Sequence, residues 1–295
     1  MNAAAETLHL LPYQAPWDWQ QFHRHFALRL LPGVECLTTD SYSRSLRLDD
    51  VSGWLAVRPV AGACLLELRL SPSASRLSEP LVARVRRMFD LDADPQAIAA
   101  HFAADRLLGP LVAGYPGLRL PTAFDPFEQA VRAIVGQQVT VKAAVTLVGR
   151  LVERLGDTLP DAPQHGPQRL FPTPQRIASA DLSGIGMPGK RVQALQGLAA
   201  AVADGSLELQ VQGGVEALIE RLCALPGIGP WTAEYIALRG FGAVDAFPAA
   251  DLGLLKAPVW GSAGIGAREL KRRAEAWRPW RAYAAAHLWH SHAGG

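Results

Sequence analysis

The sequence predicts an α+β fold that is mainly α-helical and carries an N-terminal antiparallel β-sheet. Residues 41–48, 53–60 and 63–70 alternate apolar and polar side chains between glycine-containing turns, which is typical of an antiparallel meander. From Asp94 onward, apolar residues recur at helical spacing. The chain has 295 residues, of which 49% are hydrophobic, and this length favours two or three packed subdomains over one helical unit.

The helical elements can be placed by their start and stop signals. A helix with apolar spacing follows the sheet within residues 78–91. Asp94 and Pro95 form a capped start for the next helical part, because proline suits the first helical position. Residues 124–156 predict two helices that meet near Gly136.

Composition narrows the class of protein. The net charge of +2 permits a nucleic-acid partner without singling one out. The three cysteines are far apart and form no CxxC pair, so zinc ribbons and iron–sulfur loops are excluded, and a reducing compartment is indicated. The N-terminus lacks a basic signal-peptide start, and no apolar run reaches the ~20 residues of a membrane span. We therefore expect a soluble, cytosolic protein with no membrane partner.

Residues 215–242 predict a helix, a tight LPGIG turn and a second helix. Pro226 cannot extend the first helix, and we expect Gly227 and Gly229 to adopt unusual backbone angles. Pro230 suits the first position of the second helix. The amides of the turn and the positive end of the helix dipole form a site for a phosphate, which would grip a nucleic-acid backbone without reading bases.

The second helix of this hairpin is apolar on two faces. Trp231, Tyr235 and Leu238 share one of them. Such a helix lies either between a core and a cleft or wholly within the core, and the hairpin alone leaves both open.

Asp251 follows Gly229 by 22 residues and lies in the apolar stretch FPAADLGL. A carboxylate in such surroundings is a helix N-cap, a functional group or both, because DLGLLK can begin a helix.

These segments resemble a known family. LPGIGPWTAEYIALRG followed by FPAAD resembles the signature of the helix-hairpin-helix–Gly/Pro–Asp DNA glycosylase superfamily. Five further segments resemble its 3-methyladenine DNA glycosylase II family: PGLRLP, FEQAVRAIVGQQVT, FPTPQRIA, GMPGKR and WRPWRAYAAAHLWH. The resemblance extends in order over nearly the whole chain, including the N-terminal meander.

The resemblance implies three subdomains. Residues 1–100 would form an N-terminal α+β subdomain with a TBP-like sheet. Residues 114–245 would form a helical subdomain that contains the helix-hairpin-helix at 215–240. Residues 101–113 and 246–295 would form a second helical subdomain that carries the catalytic aspartate, with a cleft between the two helical parts.

The resemblance also implies a function. The chain would be a monomeric, monofunctional DNA glycosylase that flips alkylated bases such as 3-methyladenine and 7-methylguanine out of double-stranded DNA and excises them hydrolytically in base excision repair. Asp251 would be the catalytic carboxylate that stabilises the positive charge developing on the sugar. The implied base pocket comprises Gln137, Trp231, Tyr235 and Trp289, whose aromatic rings favour a cationic base.

Further positions follow from the same resemblance. The DNA-binding residues would be Gln138, Gly227, Gly229, Pro230 and Thr232, and Gln138 stands where the family's best-known member has a leucine wedge. The backbone carbonyls of Cys223, Leu225 and Ile228 would hold a structural Na⁺ or K⁺ at the hairpin. No other cofactor is expected, and no iron–sulfur cluster.

Four positions distinguish this chain either from strand-cleaving members of the superfamily or from other members of the family. Trp231 stands where strand-cleaving relatives have a lysine nucleophile, which predicts no lyase activity. Leu252 and Gly253 replace bulkier residues and His290 replaces an aromatic one, so we expect a roomier pocket whose preferred lesion the sequence leaves open.

Two other functions remain at this point: a non-catalytic helix-hairpin-helix DNA-binding module in which Asp251 is only a cap, or a glycosylase of the same superfamily for deaminated or oxidised bases. Two groups of residues are expected to be solvated rather than functional: the histidines His287, His290 and His292, and the arginines Arg84, Arg86 and Arg87. The glycine-rich segment 184–191 lacks the context of a nucleotide-binding loop, so ATP binding is excluded and a second phosphate contact is the alternative.

Overall fold

The computed structural model describes residues 5–294, with side-chain environments for residues 5–292. Its N-terminal part is a five-stranded antiparallel sheet in the order β1-β5-β4-β3-β2. The strands are Thr7–Pro12 (β1), Glu35–Leu37 (β2), Tyr42–Leu48 (β3), Val51–Pro59 (β4) and Leu65–Leu70 (β5). The three predicted strands correspond to β3, β4 and β5, whereas both edge strands were missed.

Two helices cover one face of this sheet, namely Trp19–Ala27 (α1) and Ser78–Met88 (α2). Burial alternates along β4, where Leu55 and Val57 point into an apolar cluster. Phe22 of α1 and Val85 of α2 belong to the same cluster. The sheet is therefore anchored through one face, as its alternating sequence predicts.

The rest of the chain is helical. The helices are Pro95–Phe102 (α3), Leu108–Gly114 (α4), Pro126–Val135 (α5), Val141–Leu155 (α6), Pro174–Ser179 (α7), Gly189–Ala203 (α8), Val215–Cys223 (α9), Pro230–Phe241 (α10), Leu252–Leu255 (α11), Ala267–Ala274 (α12) and Arg281–His290 (α13). Short 3₁₀ turns lie at 74–77, 258–260, 275–277 and 291–294. Asp94 caps α3 through its side chain, and α5 ends at Gly136, as expected, whereas α6 begins only at Val141.

A second apolar cluster joins helices from both predicted helical subdomains, for example Ile134 of α5, Ile236 of α10 and Leu288 of α13. The predicted fold class is confirmed. The predicted domain boundaries stay a prediction, because this shared core does not separate the two helical parts. No helix among the described residues is long and apolar enough to cross a membrane.

A buried ion-pair network joins the sheet to α5. Arg44 of β3 donates to Glu128 of α5 at 2.6 Å, and Arg132 of α5 contacts Glu128 at 2.7 Å and Glu35 of β2 at 2.9 Å. Burial alone would raise the pKa of Glu128, but the two guanidinium groups outweigh it and lower that pKa to about 2. The network fixes the N-terminal part against α5, which packs on α10 of the hairpin.

The prediction that Arg84, Arg86 and Arg87 form a solvated face of α2 is wrong. Arg84 pairs with Asp125 at 3.2 Å, Arg86 pairs with Asp92, and Arg87 donates to the carbonyl of Phe124 at 3.2 Å. These side chains join α2 to neighbouring segments through ion pairs and a hydrogen bond, so they do not form a solvated face.

The prediction of solvated C-terminal histidines is also wrong for His287. That residue is 3% exposed within α13, and burial lowers its pKa to about 3. Among the described residues, no group of three His, Cys, Asp or Glu side chains is arranged to hold a metal ion.

Candidate active site

The hairpin joins α9 to α10 through the turn 224–229. Gly227 has a φ of +85°, and a Cβ atom there would lie 2.5 Å from the Cβ of Ala194 in α8. Glycine is therefore required by both backbone conformation and close packing. Gly229 differs from the expectation, because its φ of −92° is ordinary. A Cβ at Gly229 would meet open space, so this glycine leaves the face beside the turn unobstructed.

Gln137 forms hydrogen bonds to the hairpin. Its Nε2 donates to the carbonyl of Gly227 and to Oγ1 of Thr232, each at 3.0 Å. Thr232 is buried beneath the turn. The sequence-based placement of Gln137 in the base pocket does not match this geometry, because Gln137 is outside the cavity lining. Gln138 is exposed at the turn after α5, with a left-handed φ of 56°.

Asp251 is both an N-cap and a cavity residue. As the cap of α11, its Oδ1 accepts from the amide of Leu254 at 3.2 Å. The same oxygen accepts from Nε1 of Trp289 at 2.8 Å, and Oδ2 accepts from Nε1 of Trp231 at 3.1 Å. A helix cap does not need two indole donors. The bonds hold both carboxylate oxygens in one orientation at the cavity wall.

Aromatic rings surround this carboxylate. Trp231 stacks on Tyr235 one turn later in α10, with ring centroids 5.4 Å apart and planes 12° apart. Trp289 meets Tyr235 edge to face at 6.3 Å. A Cβ at Gly253 would lie 3.0 Å from both Asp251 Oδ1 and Trp289 Cδ1, so glycine lets the indole approach the carboxylate.

The cavity has a volume of about 590 Å³, within the range of small-molecule sites. Asp251, Trp231, Tyr235 and Trp289 line it together, which places four of the predicted site residues in one cleft. Leu238 is not in the cavity and is fully buried in the core, so the predicted face of α10 is only partly a cleft face.

The cavity also has lining residues that the sequence did not predict as functional. His25 comes from α1, which was not predicted, Arg29 comes from the turn just after α1, and Arg239 comes from α10. A signal existed for Arg239, because it follows Trp231 and Tyr235 at intervals of four and thus shares their helix face. No local pattern points to His25 and Arg29. His290, expected to be solvated, lines the cavity and packs on Tyr115 with centroids 4.1 Å apart.

Comparisons with known proteins agree with this architecture. Residues 7–125 match the model of the AlkA N-terminal domain, and residues 131–281 match that of the HhH-GPD superfamily base excision DNA repair protein. The chain is 38% identical to the DNA-3-methyladenine glycosylase 2 of Escherichia coli, covering 96% of this chain and 97% of that protein.

A second protein is similar in sequence, and a solved structure is similar in fold. The chain is 40% identical to a probable bifunctional transcriptional activator/DNA repair enzyme AlkA of Mycobacterium tuberculosis, over 98% of this chain and 58% of that protein. The solved 3-methyladenine DNA-glycosylase of Archaeoglobus fulgidus superposes with a TM-score of 0.82 at 21% identity, covering 95% of this chain and 97% of that one, and shows the same fold.

The predicted family is therefore confirmed, and a non-catalytic DNA-binding module is not favoured. The chain belongs to the HhH-GPD superfamily of base excision DNA repair proteins and, with its AlkA-type N-terminal domain, is a base excision repair glycosylase.

Proposed function

We propose that this glycosylase hydrolyses the N-glycosidic bond of alkylated bases in double-stranded DNA and does not cleave the strand. The observation that carries the proposal is the Asp251 carboxylate, held by two indole donors in the wall of an aromatic cavity. The name of the E. coli relative supports 3-methyladenine as one substrate.

Asp251 acts on the sugar. As the bond between C1′ and the base nitrogen breaks, positive charge develops on C1′ and the ring oxygen. A fixed carboxylate stabilises that charge without having to reorient during the reaction. The donors from Trp231, Trp289 and Leu254 supply the fixed orientation. Asp251 also orients the water that adds to C1′.

The aromatic residues receive the flipped base. An alkylated purine such as 7-methylguanine already carries positive charge, so it departs as a neutral molecule and needs no strong acid. The electron-rich faces of Trp231 and Tyr235 favour such a cation over an uncharged base. The base must leave the duplex to reach them, because Asp251 lies inside the cavity.

The hairpin binds the DNA backbone. The amides near Gly227 and Gly229 and those of the first turn of α10 that follow Pro230 offer donors to a phosphate, and Thr232 supports the turn. Gln138, exposed and projecting from the turn after α5, fills the space that the flipped base leaves.

We propose a monovalent cation beside this turn. Its ligands would be the carbonyl of Cys223 at the end of α9, where the helix dipole is negative, and the carbonyls of Leu225 and Ile228 in the turn that follows. The Leu225 carbonyl accepts one bond from Ile228 at 3.2 Å and retains a second lone pair. Bound there, Na⁺ or K⁺ would offset part of the phosphate charge.

Strand cleavage by this superfamily's lyases needs an amine nucleophile. Trp231 occupies the position where those enzymes carry lysine, and no lysine is among the described residues that line the cavity. We therefore infer hydrolysis without a covalent enzyme–DNA intermediate.

A panel of duplexes tests the proposal, each carrying one alkylated, deaminated or oxidised base. We expect release of 3-methyladenine and 7-methylguanine, with abasic strands that remain intact until alkali is added. Release of 8-oxoguanine without release of either alkylpurine would contradict the assigned substrate class, and strand nicking without alkali would contradict the monofunctional mechanism.

A further inference from the structure

The segment 242–251 leads from α10 to Asp251 and contains neither helix nor strand. The proposed mechanism requires the Asp251 carboxylate to stand at a fixed place beside the sugar of the flipped nucleotide. The helix that Asp251 caps, α11, has only 4 residues and offers little support by itself. Contacts along the preceding segment must therefore help to set the position of this carboxylate.

Helix α10 holds this segment at two points. Nε1 of Trp231 donates to Asp251 Oδ2 at 3.1 Å, and Oε2 of Glu234 accepts from the backbone amide of Phe247 at 2.8 Å. Trp231 and Glu234 are three positions apart and so lie on the same side of the helix. One side of α10 therefore holds both the carboxylate and the backbone that precedes it.

Two tight turns connect Phe247 to Asp251. The carbonyl of Phe247 accepts from the amide of Ala249, and the carbonyl of Pro248 accepts from the amide of Asp251, each at 2.8 Å. The ring of Pro248 restricts the backbone further. Phe247 is 4% exposed and packs against Trp277 with ring centroids 5.8 Å apart. A shift of the Phe247 amide is therefore expected to displace Asp251 as well.

Hydrogen bonding, rather than an ion pair, accounts for the orientation of Glu234. Burial raises the pKa of Glu234, although the Phe247 amide and the cations Arg281 and Lys271 oppose the rise. Arg281 is itself paired with Asp245 at 2.8 Å. A partly buried carboxylate is costly unless it accepts a hydrogen bond, and the Phe247 amide supplies one.

We propose that Glu234 is a positioning residue for the glycosidic reaction, because its bond to the Phe247 amide sets where the Asp251 carboxylate meets the sugar. Glu234 is not part of the cavity lining, so it acts through Asp251 and not on the DNA. This inference rests on the proposed function, in which Asp251 stabilises the charge that develops on C1′.

Single-turnover release of 7-methylguanine by three variants tests the assignment, with DNA affinity measured separately. Glu234→Met keeps the length of the side chain and removes the acceptor. We expect its rate to fall at least about tenfold, because a displacement of about 1 Å can cost about a hundredfold. Glu234→Gln keeps an oxygen at the same reach and should retain most of the rate. Glu234→Asp keeps the charge on a shorter side chain and should be slower than Glu234→Gln. DNA affinity should stay within about twofold in all three variants.

A double-mutant cycle with Asp251→Asn separates positioning from stability. Once the Asp251 carboxylate is absent, Glu234 has no charge to position. In that background we expect Glu234→Met to change the residual rate by less than about twofold. A residue that only stabilised the fold would lower the rate by the same factor in both backgrounds.

The matched control is Glu220→Met. Glu220 is an exposed glutamate on α9, the other helix of the hairpin, and it does not line the cavity. The same chemical change at this position should leave the rate unchanged.

Three results would each overturn the inference: equal falls in the two backgrounds, a Glu234→Met rate within about twofold of the unchanged protein, or a Glu234→Asp rate above that of Glu234→Gln. The last comparison decides if Glu234→Met does not fold. A full rate for Asp251→Asn would refute the proposed role of Asp251 and the inference with it. Loss of rate in Asp251→Asn without any loss in Glu234→Met overturns the inference and leaves the proposed function intact.

Discussion

At the scale of residues, the site is a carboxylate whose oxygens are both fixed by indole donors. Asp251 could be recognised from sequence because its apolar neighbours and the preceding hairpin are local features. His25 and Arg29 could not, since only tertiary packing brings α1 and the turn after it to the cavity that Asp251 lines. The bond from Gln137 to the hairpin likewise depends on packing between α5 and the turn.

The indole donors lead to a prediction. Trp231→Phe removes the Nε1 donor to Asp251 Oδ2 but keeps a ring against Tyr235. A hydrogen bond to a charged group contributes roughly 1.5–3 kcal/mol, so kcat should fall about tenfold or more while KM changes little. Trp260→Phe is the control, because it loses a comparable indole bond, to the carbonyl of Leu254, without removing a donor from Asp251. Equal effects of the two substitutions would show that the donor to Asp251 has no special role.

At the scale of elements, strands and helices with a strong periodic pattern could be predicted from the sequence, whereas those with a weak pattern could not. Strands β3 to β5 alternate clearly, whereas β1 exposes Leu8 and Leu10 and so lacks an apolar–polar alternation. Strand β2 has only three residues, too few for any pattern. Caps and prolines located the helix starts, because these signals are local.

The hairpin glycines are expected to differ in what they do. Gly227→Ala places a Cβ atom at a residue with a φ of +85° and against Ala194. The free energy of unfolding should therefore fall by about 1–3 kcal/mol. Gly229→Ala meets open space at an ordinary φ and should change stability by less than about 0.5 kcal/mol, yet weaken DNA binding by crowding the phosphate. Denaturant unfolding and DNA titration at fixed salt measure both. Unchanged DNA affinity in the Gly229 variant would argue against the hairpin as the phosphate site.

At the scale of the whole molecule, three distant segments form one cavity. Helix α1, the turn after α5 and the C-terminal helix α13 meet around α10. The sequence predicted the fold class and a cleft, because hydrophobic periodicity and family resemblance cover the whole chain. It did not predict that α1 contributes to the cavity, since that depends on how the ion-pair network sets the sheet against α5.

That network predicts a pH dependence of stability. The pKa of Glu128 is lowered in the folded protein to about 2, so its contribution is fully present above the unfolded value near 4.5 and is lost as pH falls from about 5 towards 2. Glu128→Gln should lower the free energy of unfolding at pH 7 by about 3–5 kcal/mol, because it leaves Arg44 and Arg132 less compensated, and should flatten the acid limb. Denaturant unfolding from pH 7 to pH 3 checks this. An acid limb of unchanged slope in the variant would assign the dependence to other carboxylates.

The most direct measurement of the central claim is single-turnover release of 7-methylguanine by Asp251→Asn. Asparagine retains an oxygen that can accept from Leu254 and Trp289, so the cap and the fold are kept while the negative charge is lost. The account predicts a fall of about a hundredfold or more with DNA affinity preserved. The control is Asp94→Asn, which alters another N-cap outside the cavity and should leave the rate unchanged. A rate for Asp251→Asn within about twofold of the unchanged protein would mean that Asp251 is only a helix cap.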